Sequence, residues 1–219
     1  MDLGLSGRTA VVTGASKGIG LAITRALVDE GVTVVAGART APAGLGDRVI
    51  PVAVDLSTPD GPARLVDAAR DAFGGVLDIL VNNVGAVRPR TGGFLSVTDE
   101  DWTAALNLNL LAAVRTTRAA LPLLLARGSA TIVTVNSVNA SLPDPLVVDY
   151  SAAKAALGSF CKSLSKEYGP RGIRVNTVSP GPVSTGGSPG PRRWPTSCCC
   201  SPATGPATSP APTCSSTAG

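Results

Sequence analysis

The chain has 219 residues, 44% of them apolar and 16% charged, with a net charge of +4 and no histidine. That is enough apolar material for one packed domain and argues against global disorder. Without histidine, Ser-His-Asp and Cys-His catalysis and every histidine metal site are excluded, and the mild, dispersed positive charge gives no sign of a nucleic-acid partner. Aromatic residues are only 3%, so Val, Leu, Ile and Ala must build the core. No apolar run approaches the roughly 18 residues of a bilayer span, so no membrane partner is expected. The N-terminal Met1-Asp2-Leu3-Gly4 has neither the basic nor the apolar region of a signal peptide, so a cytoplasmic location is expected. Of five cysteines, Cys198, Cys199, Cys200 and Cys214 crowd the C-terminal end and only Cys161 lies in the body. That spacing fits no zinc site, and no metal is expected.

In chain order, Thr9 to Thr13 reads as an apolar strand and Ile19 to Glu30 as a helix. Val32 to Ala36 and Val49 to Val54 are the next strands, followed by a helix from Pro59 to Phe73. Leu77 to Val81 is the fourth strand, and one long helix is expected from about Asp99 to Ala126. Ala130 to Val135 is the fifth strand, Asp149 to Tyr168 a helix, and Val175 to Val178 the sixth strand. Apolar residues on consecutive strand positions indicate a sheet covered on both faces. Alternation of strand and helix indicates an α/β fold with a doubly wound, Rossmann-like parallel sheet in a single domain, residues 1–185.

The first strand runs into Thr13-Gly14-Ala15-Ser16-Lys17-Gly18-Ile19-Gly20. Gly14 permits a tight turn, Gly18 lets backbone approach a pyrophosphate, and Gly20 lets helix and strand pack closely. The helix start then offers N–H groups and the positive end of its dipole to phosphates. A plain tight turn is the competing reading. The spacing, Thr-Gly-x-x-x-Gly-x-Gly, resembles the fingerprint of the short-chain dehydrogenase/reductase family, and the resemblance extends over residues 1–185.

The end of the second strand bears on cofactor choice. A carboxylate there would bind a ribose 2′-hydroxyl and repel a 2′-phosphate. This chain has Gly37-Ala38-Arg39-Thr40. Arg39 can fork onto a phosphate, and Lys17 adds a second cation. Both positions resemble those of NADP-preferring members, so NADP is expected ahead of NAD; a solvated surface arginine is the alternative. The resemblance also implies that Asp55, with Leu56 beside it, meets the adenine ring. Asn82-Asn83-Val84-Gly85 looks like the family's Asn-Asn-Ala-Gly, with Val84 in place of alanine, and implies cofactor contacts at Asn83, Val84 and Gly85.

Tyr150 and Lys154 are one helical turn apart and share a face. A tyrosine, with an ordinary pKa of about 10, is a poor acid at neutral pH, and a nearby ammonium favours its phenolate. Tyr150 would then act as general acid in carbonyl reduction and general base in alcohol oxidation. Ser137 precedes Tyr150 by 13 residues, the family's serine-to-tyrosine spacing, which implies a hydrogen bond from Ser137 to the substrate oxygen. Asn109, seven residues after Trp102, matches the family asparagine that holds a water linking Lys154 to solvent; Asn107 competes for the role. Pro180-Gly181-Pro182-Val183-Ser184-Thr185 resembles the Pro-Gly loop that orients the nicotinamide, implying contacts from Pro180, Gly181, Val183 and Thr185. The expected partner is a small carbonyl or alcohol substrate. Ketoacyl thioesters, sugars, steroids and small ketones all meet such a fold through loops, and the residues select none of them.

Composition breaks near residue 186. Residues 186–219 contain, apart from Arg192, Arg193 and Trp194, only Gly, Ser, Pro, Thr, Cys and Ala, so a disordered low-complexity tail without the family's last strand is expected. With GC-rich codons assigned from Arg193 and the reading begun one base earlier, the same bases encode Glu-Val-Ala-Asp-Val-Val-Leu-Leu-Leu-Ala-Ser-Asp. The bases for Gly205 to Gly219 similarly give Arg-Ala-Gly-Asn-Val-Thr-Gly-Ala-Asp-Val-Leu-Ile-Asp-Gly-Gly. These resemble the family's C-terminal segments in register, which suggests a one-base frameshift upstream of Arg193. The alternative to an active reductase is therefore a catalytically impaired nucleotide-binding product. The family implies a homo-oligomer, weakened here by the lost strand.

Overall fold

The computed structural model describes residues 3–42 and 44–181. The expectations for the segment 186–219, and for Val183 and Thr185, lie outside the described residues. Six strands form one parallel sheet: β1 (Thr9–Thr13), β2 (Thr33–Ala38), β3 (Val49–Ala53), β4 (Ile79–Asn82), β5 (Ala130–Val135) and β6 (Ile173–Val178). Their order is β3-β2-β1-β4-β5-β6. The order reverses between β1 and β4, which pair as Ala10 with Ile79 through Val12 with Val81. Such a reversal opens a crevice at the carboxyl ends of the strands, where ligands of these sheets sit.

The helices are α1 (Gly18–Asp29), α2 (Gly61–Phe73), α3 (Asp99–Leu106), α4 (Ala112–Arg127) and α5 (Val148–Tyr168). The expected single helix over 99–126 is broken in phase by a π turn, Asn107–Leu111, closed by a bond from the Ala112 N–H to the Asn107 carbonyl. α3 begins with a capping box, in which Thr98 and Asp101 each bond the other's backbone N–H. The whole stretch Asp99–Arg127 is long and apolar enough to cross a bilayer by length and composition, with a mean hydropathy of 1.2, yet half of its most apolar window is buried in the protein. It is a core helix.

The two faces of the sheet differ. On one, α2, α4 and α5 bury a large core that includes Leu65, Leu80, Leu124, Ile132, Leu157 and Ile173. On the other, Ala10, Val12, Val34 and Ala36 pack under Ile23 and Leu27 of α1. Among the described residues α1 is the only helix on that face, and it leaves Val133, Val135 and Val178 lining an open groove with Ile19 and Ile23. Among the described residues, coverage of both faces, expected from the consecutive apolar positions, is complete over β1 and β2 but not over β5 and β6. The second edge of β6 has no strand partner among the described residues.

Candidate active site

The turn after β1 is built from backbone that only glycine accepts. Gly14 and Gly18 have φ of +70° and +55°. The N–H groups of Gly14 and Ala15 donate to the Gly37 carbonyl at 2.8 and 3.2 Å, pinning the turn to β2. A Cβ on Gly20 would lie 2.2 Å from the Gly14 oxygen and 2.4 Å from Asn83 Nδ2, so α1 can start this close to the turn only with glycine there. Asn83 Nδ2 donates to the carbonyls of Thr13 (2.9 Å) and Gly14 (3.2 Å). Thr13 Oγ1 in turn accepts from the N–H groups of Asn83 (2.8 Å) and Val84 (3.0 Å). The Asn83 amide, expected at the cofactor, is thus engaged in holding the glycine turn, and Thr13, the first residue of the motif, acts as a scaffold residue to which the sequence reading gave no role. Lys17 is extended, exposed and makes no cap bond. Ser16 is half-buried beside it, and the Ile19 side chain lines the open groove.

Arg39 stands exposed just past β2, and no carboxylate accompanies it on that strand end. At Asp55 the backbone N–H of Ser57, followed by its hydroxyl, holds the carboxyl below its usual range; the charge of Arg39 acts in the same direction. The Leu56 side chain is 2% exposed and belongs to the core, which leaves only its backbone for a cofactor. Two positive-φ glycines at a helix start, with cations beside them, fit the phosphates of a nicotinamide dinucleotide.

The candidate catalytic residues lie at the carboxyl ends of β4 and β5 and on α5. Asn109 sits within the π turn, 2% exposed, with Oδ1 accepting from the Ala86 N–H (2.9 Å) and Nδ2 donating to the Ala105 carbonyl (3.0 Å). Asn107 instead bonds Arg115 Nη2 at 3.2 Å. A Cβ on Gly85 would meet Asn109 Oδ1 at 2.9 Å and Lys154 Nζ at 3.5 Å, so Gly85, Asn109 and Lys154 adjoin one another. Lys154 Nζ lies 5.8 Å from the centre of the Tyr150 ring and donates to the Val135 carbonyl at 2.9 Å. Burial pushes its pKa down to about 8. Ser137 caps the short turn Val138–Ala140, its Oγ accepting from the Asn139 N–H at 3.2 Å. The Val138 N–H reaches the Pro180 carbonyl at 3.2 Å, which sets Pro180 and Gly181 beside the serine loop.

Sequence reasoning missed Arg88, Arg90 and Asp149 beside Tyr150. A small cavity is lined by Tyr150, Asn109, Arg39, Arg88, Arg90 and Asp149, among others. Asp149, 2% exposed, pairs with Arg90, and this pair is not part of any short motif. The available signal was one acid set between the apolar Leu146-Val147-Val148 and Tyr150.

The fold and the glycine turn define a Rossmann-like α/β domain of the dinucleotide-binding class. The short chain dehydrogenase family model matches residues 8–194, and the chain belongs to that family of nicotinamide-dependent oxidoreductases. It is 35% identical to the 3-oxoacyl-(acyl-carrier-protein) reductase FabG of Vibrio cholerae over 190 residues, 84% of this chain and 76% of the relative. It is 37% identical to 3beta-hydroxysteroid dehydrogenase 1 of Eggerthella lenta, over 83% of this chain and 72% of that one. Among solved structures, L-sorbose reductase of Gluconobacter frateurii, complexed with NADPH and L-sorbose, aligns with a TM-score of 0.77 at 38% identity, covering 84% and 73% of the two chains. The 3-ketoacyl-(acyl-carrier-protein) reductase of Brucella melitensis, complexed with NADH, aligns with a TM-score of 0.77 at 29% identity, covering 81% and 76%.

Proposed function

We propose that this protein is an NADP-dependent reductase of a small carbonyl compound, acting in the cytoplasm through residues 1–185 as one catalytic unit. The observation that carries this reading is the meeting of Asn109, Lys154 and Tyr150 beside Gly85. When bound, the cofactor supplies or accepts the hydride. Gly14, Ser16, Lys17, Gly18, Ile19 and Gly20 hold its pyrophosphate, chiefly through backbone N–H groups at the start of α1. Arg39 with Lys17 selects the 2′-phosphate, and Asp55, Leu56, Asn83, Val84 and Gly85 line the adenosine side. Pro180, Gly181, Val183 and Thr185 orient the carboxamide. Ser137 donates to the substrate oxygen and steadies the charge that grows on it. Tyr150 gives that oxygen its proton, and Lys154, kept near Tyr150 by the Val135 carbonyl, favours the phenolate left behind. Asn109 keeps the π turn in place so that a water can carry the replacement proton toward Lys154. An NADPH-binding titration beside a carbonyl-reduction assay tests the reading: binding together with turnover supports it, and absence of NADPH binding refutes it.

A second reading is favoured by the composition of residues 186–219, which contain no Val, Leu, Ile or Phe. We infer that the gene carries a one-base frameshift upstream of Arg193, and that the chain as written is an impaired nucleotide-binding product. The recovered peptides supply what the groove and the β6 edge need: a run of Val and Leu, and a strand-like Ala-Asp-Val-Leu-Ile-Asp. Homo-oligomer formation would be weakened in the written chain on the same grounds. Sequencing the DNA for residues 184–195 tests this reading, and codons incompatible with the shift would end it.

A further inference from the structure

Resting on the reading of Tyr150 as the proton donor, we propose that Arg90 is a positioning residue that clamps the first turn of α5, and with it Tyr150, to the loop after β4 and the start of α3. Arg90 Nε donates to Asp149 Oδ2 at 3.1 Å, and Nη2 makes a second bond to the same oxygen. Nη1 pairs with Asp101 Oδ1 at 2.8 Å. The Arg90 backbone N–H donates to the Leu146 carbonyl at 2.6 Å. One residue thus joins three segments of chain, through a planar fork that a lysine cannot reproduce.

Two features make this clamp more than a surface ion pair. The Arg90 and Asp149 side chains are only 13% and 3% exposed, so neither charge can turn to water if its partner leaves. The helix also needs the support: α5 begins at Val148 after a cap residue, Val147, that offers no side-chain bond. At α3, Asp101 serves twice, since Oδ2 accepts from the Thr98 N–H while Oδ1 takes Arg90. The loop between β4 and α3 is therefore tied to both helices whose ends border the Tyr150 cavity. The hydrogen bond to Asp149, followed by the bond to Asp101, raises the pKa of Arg90, so the guanidinium keeps its charge within the clamp.

The test uses Arg90→Met, Arg90→Lys and Asp101→Asn in the full chain. Three readouts are taken: hydrogen exchange of peptides covering 99–104 and 143–152, NADPH binding, and NADPH-driven reduction of phenanthrenequinone as a dicarbonyl probe. Arg90→Met should speed exchange in both peptides and lower kcat by about 10²-fold, the scale of a misplaced reacting group, with the KM for NADPH about unchanged. Arg90→Lys should restore protection at 143–152, because the buried Asp149 claims the single charge, and leave 99–104 fast; most of kcat should return with it. Asp101→Asn should speed 99–104 alone. A folded Arg90→Met with parental exchange at 143–152, or with parental kcat, overturns the clamp. If Arg90→Met fails to fold, the other two variants decide: the clamp falls if Arg90→Lys leaves 143–152 unprotected or if Asp101→Asn loosens both peptides equally. A parent that binds NADPH but reduces nothing fits the impaired product of the second reading, and the exchange pattern then decides the clamp.

Discussion

Lys154 Nζ donates to the carbonyl oxygen of Val135 at 2.9 Å, so the last residue of β5 holds the amine that α5 contributes to the site. Lys154 is 3% exposed, and among the described residues no carboxylate accompanies it in a salt bridge. Its charged form is consequently disfavoured by the fold.

This has a pH signature. The amine titrates at about 8 in the folded protein against 10.5 ordinarily. Below about pH 8 it is charged in both states and the burial penalty acts in full; above 10.5 it is neutral in both and the penalty disappears. Relative to Lys154→Met, the stability of the parent should rise between about pH 8 and 10.5, by roughly 3 kcal/mol in all. Burial pushes the Cys161 thiol up, which works in the opposite direction, and Cys161 and Lys154 act on each other, so both proteins carry Cys161→Ala. Urea melts of the pair across that range check the prediction, and a difference that stays flat contradicts it.

Tyr150→Phe keeps the ring over Lys154 and removes the proton donor. In a chain carrying the C-terminal residues of the proposed alternative frame, carbonyl reduction should drop by about 10²–10⁴-fold, while NADPH binding barely changes. Stopped-flow reduction with a parallel binding titration distinguishes the two effects. Turnover that survives would assign the proton to another group.

Arg39→Asp replaces attraction for a 2′-phosphate by repulsion. NADPH should lose on the order of 1–3 kcal/mol of binding relative to NADH, reversing the preference. Isothermal titration with both cofactors is the measurement, and equal affinities in the parent would already count against Arg39.

Gly20→Ala sets a methyl group 2.2 Å from the Gly14 oxygen. The obstacle is backbone, so the turn itself must yield. The cost should reach about 1–3 kcal/mol or more in urea melts, with nucleotide binding weakened alongside. Gly74→Ala, where a Cβ meets nothing within 4 Å although φ is +63°, is the control that reports backbone strain alone.

How much could be read in advance depended on how local each determinant was. β5 was legible from Ala130 to Val135 because its apolar run is bounded by Gly128 and by Asn136. The glycine turn was legible because φ above zero demands glycine at fixed spacing. β4 proved shorter at its start and longer at its end, Ile79 to Asn82, because ladder pairing with Val12 and Thr134, rather than hydropathy, sets its limits. The Arg90–Asp149 pair joins residues 59 positions apart, and no local pattern encodes it. The groove that the described residues leave over β5 and β6 could not be seen from residues that read as strands buried on both sides.

The π turn at Asn107–Leu111 is in effect a one-residue insertion kept inside a helix. An α-helix advances about 100° per residue, so the surplus residue turns α4 out of step with α3 and points Asn109 where an even helix would not. Deleting Leu108 should heal the defect, align the two apolar stripes and raise the melting temperature. It should also withdraw Asn109 from Gly85 and Lys154, leaving a sturdier protein with a poorer proton supply. Selection for stability alone would erase this irregularity, and its persistence would mark a place where activity has been favoured over regularity.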